Sequence, residues 1–182
     1  MKSMKRIIVI MIICVTMGTV FAATPSVFDV GILNYYKIQN LVDQDFASYT
    51  PGVRLETHIT PWFGLGADVL LEAPFAAGAP AGTYNFIGTT DVSFRASLGF
   101  FEPFLAVGPA YQVTVDSTSV TLTTDVSYSA RAGFDFNITD ILTVGAEGKL
   151  IVNDLPGLID GSVTSVDWLD ATYVGLSIKA KF

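Results

Sequence analysis

This sequence is short of several things at once. In 182 residues it has one cysteine, Cys14, and one histidine, His58. A single cysteine excludes a disulfide scaffold. A single histidine leaves histidine-based catalysis with one candidate and excludes a histidine metal cluster. Charge is scarce, at 15% of residues, and bases are scarcer still, ten Lys and Arg against 17 Asp and Glu. The acidic balance argues against a nucleic-acid partner. Low charge beside 51% hydrophobic residues excludes a disordered chain. Long apolar runs are missing beyond residue 23, although the mean hydropathy is positive. The length suits one domain.

The one apolar run is N-terminal. Lys2, Lys5 and Arg6 precede Ile7 to Val15, and the run closes in Val20-Phe21-Ala22. Val at −3 and Ala at −1 fit cleavage by signal peptidase before Ala23. The expected division is therefore a signal peptide over 1–22 and a mature domain over 23–182. The alternative, an uncleaved anchor, needs a span that Ile7–Ala23 barely supplies. Cys14 sits mid-run behind Ile12 and Ile13, without the small residues of a lipoprotein signal. Cleavage leaves a mature chain with no cysteine. It also removes three of the ten bases, so seven face 17 acids, a net charge of −10.

What the remainder has is alternation with a period of two, the mark of strands with one apolar face. Asp91-Val92-Ser93-Phe94-Arg95-Ala96-Ser97-Leu98 alternates without an error, as do Tyr128 to Asn137 and Thr143 to Leu150. Gly52 to Ile59, Phe63 to Val69 and Thr172 to Phe182 follow closely. Phe28 to Ile32 and Leu105 to Val113 are weaker members. Eight strands result, and helical spacing fits none of them. Short connections, Thr60-Pro61-Trp62, Gly99 to Glu102 and Ile138 to Ile141, alternate with longer ones near Lys37–Thr50, Glu72–Thr83, Asp116–Ser119 and Val152–Asp167. Short turns on one side and long loops on the other are expected of an outer-membrane barrel. Pro109 falls inside a strand, where it removes a ladder bond and suggests a local bulge.

A soluble lipocalin-like barrel also has eight strands, but with its apolar face inward. Three features select the opposite orientation. Gly31, Gly52, Gly64, Gly66, Gly108, Gly133, Gly145 and Gly175 share the parity of the charges, which makes room for long side chains in a narrow interior. Aromatic residues gather at segment ends: Trp62, Phe63, Phe101, Phe104, Phe134, Phe136 and Phe182 by the short turns, and Tyr35, Tyr36, Tyr84, Phe86, Tyr111, Tyr128 and Trp168 by the loops. Two such belts fit two membrane interfaces. The final strand places Val174, Leu176, Ile178, Ala180 and Phe182 on the apolar face. The fold class is all-β, an eight-stranded antiparallel up-and-down transmembrane barrel, apolar outside and charged inside.

The last strand, Tyr173-Val174-Gly175-Leu176-Ser177-Ile178-Lys179-Ala180-Lys181-Phe182, resembles the assembly signal of bacterial outer-membrane barrels, carried by Tyr173, Gly175, Leu176, Ile178 and Phe182. Pro103 to Gly108 and Asn137 to Glu147 resemble small barrels of the OmpA membrane-domain, OmpX and OmpW type. The resemblance spans the mature chain as a pattern. It implies residence in the outer membrane of a Gram-negative-type envelope, with membrane lipid and the barrel-assembly machinery as partners. A peptidoglycan-binding domain like that of full-length OmpA is not expected here.

Sorted by parity, the expected lumen holds Arg54, Arg95, Arg131, Lys149, Lys179 and Lys181 against Asp29, Glu56, Asp68, Asp91, Asp135 and Glu147. Unpaired buried charge is costly, so this balance implies a paired network. Such a network acts as a structural plug or, in the sharper reading, as the gate of a narrow pore. OmpW-like barrels resemble conduits with a largely apolar lumen, and this lumen is too charged for a close match. The loops carry Asp43, Asp45, Glu72, Asp116, Asp125, Asp154, Asp160, Asp167 and Asp170 against Lys37 alone. That composition reads as a solvated surface, with rim cations or a basic extracellular ligand as functional alternatives; no segment has calcium-loop spacing. Asn153 to Gly161 adds Leu and Ile, either as an apolar contact patch or as a cover over the barrel mouth.

Some barrels of this size modify lipid A, and acyl transfer needs a nucleophile beside a histidine held by an acid. Glu56, His58 and Thr60 share one parity, a faint echo of that arrangement. Their strand runs toward the short-turn side, away from outer-leaflet substrate, and His58 is expected to pair with Glu56 within the lumen. No phosphate loop, metal cluster or cofactor motif appears. The expected function is a non-enzymatic surface barrel, with a solute conduit as the alternative.

Overall fold

The computed structural model describes residues 28–46, 48–72, 82–115, 119–122, 127–160 and 166–182. The expected signal peptide with its cleavage point, and the loop acids Asp116 and Asp125, lie outside these residues. The strands are β1 (Phe28–Lys37), β2 (Tyr49–Thr60), β3 (Phe63–Leu71), β4 (Tyr84–Arg95), β5 (Phe101–Val115), β6 (Val120–Leu122), β7 (Ser127–Asn137), β8 (Leu142–Val152) and β9 (Thr172–Lys181). Three short helices stand in the connections: α1 (Ile38–Val42), α2 (Leu155–Asp160) and α3 (Trp168–Ala171).

Each strand pairs antiparallel with its neighbours, and β9 pairs with β1 to close the sheet. The three-residue β6 and the longer β7 occupy successive stretches of one edge of β5, so the wall counts eight strands. Closure pairs each of the eight wall strands on both sides, and among the described residues only the short β6 pairs on one side alone. The stagger follows from the pairing. Starting at Phe28, partners run through Thr57, Leu65, Val92, Val107, Ala130 and Leu150 to Thr172. Thr172 precedes Tyr173, the partner of Lys37, so the circuit returns opposite position 38, ten residues further along. That shear sets a strand tilt of about 40° and an interior just wide enough for side chains to fill.

All eight alternating segments lie on barrel strands, with differences at their ends. β4 begins at Tyr84, seven residues before its alternating part, because Tyr84, Asn85, Gly88 and Thr90 do not sort cleanly by polarity. Residues 96–98 belong to the next turn, which Gly99 completes at φ +78°, a left-handed conformation glycine adopts without strain. The β2–β3 turn is Pro61–Trp62. In the β7–β8 turn the Thr139 hydroxyl accepts from the backbone N–H groups of Ile141 (3.3 Å) and Leu142 (3.0 Å).

Pro109 makes no bulge. The β4–β5 register is the same before and after it, Thr89 with Ala110 and Val92 with Val107, and β7 pairs straight past it. The ladder is interrupted rather than shifted. Gly108 beside it approaches the Thr90 carbonyl so closely that a Cβ has no room.

Candidate functional site

Burial is inverted relative to a soluble protein. The outward positions are apolar and exposed: Ile32 is 68% accessible, Val53 59%, Leu176 63% and Ile178 56%. The inward positions are charged and buried: Arg54 and Arg131 are 2% accessible, Lys179 1% and Lys149 0%. Strand geometry produces this directly, since successive side chains point to opposite faces.

All twelve positions expected as lumen charges (Asp29, Arg54, Glu56, Asp68, Asp91, Arg95, Arg131, Asp135, Glu147, Lys149, Lys179 and Lys181) point inward. At mid-height Arg54 lies 2.7 Å from both Asp68 and Glu147. Lys149 reaches Asp68 at 2.7 Å, with Thr89 donating to the same carboxylate. Arg131 binds Asp91 at 2.7 Å and Glu147 at 3.3 Å. Nearer the turns Arg95 meets Glu56 at 2.7 Å, and Lys179 meets Asp135 at 2.7 Å. Charges removed from water stay favourable only with such partners in place.

Several interior members escape a parity reading. Glu102 faces inward and joins Arg95 (3.4 Å), Lys181 (3.7 Å) and the Asn137 amide (2.7 Å). Its place next to the assumed turn hid it; with the turn at 96–100, its parity with Ala106 and Gly108 is plain. Phe104 and Tyr35, expected in the aromatic belts, are interior. The Phe104 ring lies 5.0 Å beneath both the Arg131 guanidinium and the Lys179 ammonium. Tyr35 hydrogen-bonds Glu147, and its ring lies where a Cβ on Gly175 would stand. His58 pairs with Asp29 at 3.0 Å rather than with Glu56. Residues two apart on one strand stand nearly 7 Å apart, whereas Asp29 comes across from the neighbouring strand.

The loop end of the interior has another chemistry. Leu33, Tyr35, Leu70, Ile87, Ala110, Ile151 and Tyr173 form one buried cluster drawn from β1, β3, β4, β5, β8 and β9. Leu70 covers the β2 side, because its side chain lies where a Cβ on Gly52 would be. Above this collar Lys37 binds Glu72 at 2.8 Å and Asp170 at 3.1 Å, and the Tyr173 hydroxyl donates to Glu72. Asp167 caps α3 by accepting from Leu169 and Asp170. Ile159 on α2 is 79% accessible, while Leu155 and Gly157 in the same helix are half-buried and buried.

Aromatic rings do ring the turn end. Phe28 stacks on Phe182 at 5.1 Å, Trp62 on Phe94 at 6.3 Å, and Phe101, Phe134 and Phe136 form a third group. Of the expected assembly residues, Leu176, Ile178 and Phe182 face outward, Tyr173 belongs to the collar, and Gly175 underlies Tyr35. No cluster of metal-ligating side chains occurs among the described residues.

Comparison with solved structures gives the same architecture. The N-terminal β-barrel domain of Pseudomonas aeruginosa OprF aligns over 85% of this chain and 96% of its own, with a TM-score of 0.58 and 11% identity. The chain has the fold of the small outer-membrane β-barrels. A de novo designed transmembrane β-barrel aligns over 89% of this chain and all of its own, at TM-score 0.54 and 15% identity. Neisserial surface protein A aligns over 85% of this chain and 94% of its own, at TM-score 0.47 and 11% identity. No protein-family model and no curated protein matches the sequence.

Proposed function

We propose that this chain is an integral outer-membrane barrel without enzymatic activity, closed through its interior and presenting acidic loops to the outside. The observation that carries this reading is the inversion of burial. A wall with Ile32, Val53, Leu176 and Ile178 exposed and Arg54, Arg131 and Lys149 buried suits hydrocarbon outside and ion pairs inside. The paired charges fix strand register, and the loops carry whatever extracellular interaction exists. Export follows cleavage of residues 1–22, and Leu176, Ile178 and Phe182 on the last strand address the assembly machinery.

The closed reading is tested in planar bilayers. The purified barrel is expected to give no steady conductance, and wild-type channels at neutral pH contradict it. Mass spectrometry of the mature protein is expected to find Ala23 as its first residue. Lipid A modification offers a separate check on the absence of catalysis. His58 is held by Asp29 near the turn end, so His58→Ala is expected to leave lipid A profiles unchanged.

A further inference from the structure

The two chemistries of the interior divide the work of closure unequally. Among the described residues six buried side-chain atoms have no hydrogen-bond partner: Arg54 Nε, Glu56 Oε2, His58 Nδ1, Thr60 Oγ1, Arg95 Nε and Ser177 Oγ. Four of them lie on consecutive inward positions of one strand, β2, from the turn end at Thr60 up to Arg54. Arg95 and Ser177 add two more on other strands. A buried donor or acceptor without a partner costs free energy unless water fills the role, and a bound water wants two to four polar partners. A file of such atoms, running from Thr60 next to the turn to Arg54, would offer water successive partners from the turn side.

The path stops beneath the collar. On β3, β4 and β8 the change is abrupt: Asp68 is followed two residues on by Leu70, Thr89 is preceded by Ile87, and Lys149 is followed by Ile151, while β2 and β7 keep the buried hydroxyls of Thr50, Ser129 and Ser127. Leu33, Leu70, Ile87 and Ala110 are between 0% and 1% accessible and offer water no hydrogen bond. An apolar constriction of this kind excludes ions by dewetting.

We propose that the barrel is a half-channel: hydrated from the turn side along β2 as far as Arg54, and sealed toward the loops by the apolar collar. On the closed reading above, the collar and not the ion-pair network is the permeability barrier. Removing it joins the hydrated path to the loop mouth, where Glu72 and Asp170 outnumber Lys37. The opened conduit therefore prefers cations.

The test is conductance of the Leu70→Ala/Ile87→Ala double variant beside wild type and Arg54→Ala, each shown to be folded by its heat-dependent gel shift. The double variant is expected to conduct at least about tenfold above the wild-type baseline with a cation preference, as widening of a dewetted constriction should allow. A folded, silent double variant beside a conducting Arg54→Ala assigns the barrier to the ion pairs and overturns the proposal. Conduction by wild type instead contradicts the closed reading itself. Ser177→Cys in the mature chain, which has no other cysteine, keeps the proposal testable if the double variant does not fold. In barrels inserted with one orientation, a small water-soluble thiol reagent is expected to label Cys at this position from the turn side only. Labelling from the loop side, or from neither, overturns the half-channel.

Discussion

The two faces of this barrel wall are made by the same strands and obey opposite rules. On β2, Val53 and Leu55 point out at 59% and 54% accessibility, while Arg54 and Glu56, alternating with them, are nearly completely buried. Each outward residue is satisfied by hydrocarbon alone and needs no particular neighbour. Each inward residue needs specific partners: Arg54 is held by Asp68, Glu147 and Tyr35, contributed by three other strands. The outer face thus tolerates exchange among apolar residues, and the inner face is a jigsaw of charge in which one removal strands several partners.

That contrast sets the order of expected effects. The largest comes from breaking the inner face. Arg131→Ala leaves Asp91 and Glu147 without their shared guanidinium and should cost about 3–5 kcal/mol in urea unfolding of the barrel in detergent or lipid. Next is a charge on the outer face: Leu55→Arg should cost about 2–4 kcal/mol if that position lies near mid-membrane, and a smaller cost would place it nearer the interface. Gly108→Ala probes packing within the wall, since the new Cβ meets the Thr90 backbone. It should cost about 1–3 kcal/mol and lower the temperature at which the gel shift is lost. The smallest effect belongs to the crown, where Lys37 and its partners are partly exposed. Lys37→Ala should change stability by less than about 1 kcal/mol and be masked by high salt.

Much of this architecture was legible in the sequence, for a physical reason. A period of two is rigid in a strand, so Asp91 to Arg95 and Thr143 to Leu150 disclosed both strand and facing. Lone glycines on the charged parity disclosed the crowding of the interior. Two kinds of feature were not legible. Strand ends rest on turn geometry, so shifting one turn hid Glu102 and sent Phe104 to the wrong face. The collar has no alternation of polarity, because Leu33, Leu70, Ile87 and Ile151 are apolar residues at inward positions; only the closed circuit of pairings brings them to one height. Partner choice within the interior was hidden for the same reason. His58 faces Asp29 through a neighbouring strand, and spacing along β2 alone pointed to Glu56.

Everything above depends on hydrocarbon outside and charge inside, and one preparation tests that most directly. The mature chain, folded in detergent, is run unheated and boiled on the same gel, with circular dichroism on the same sample. A heat-dependent shift in mobility with a β-rich spectrum is the expected result. A monodisperse, water-soluble product with no shift would mean that the apolar faces point inward, and would contradict the account.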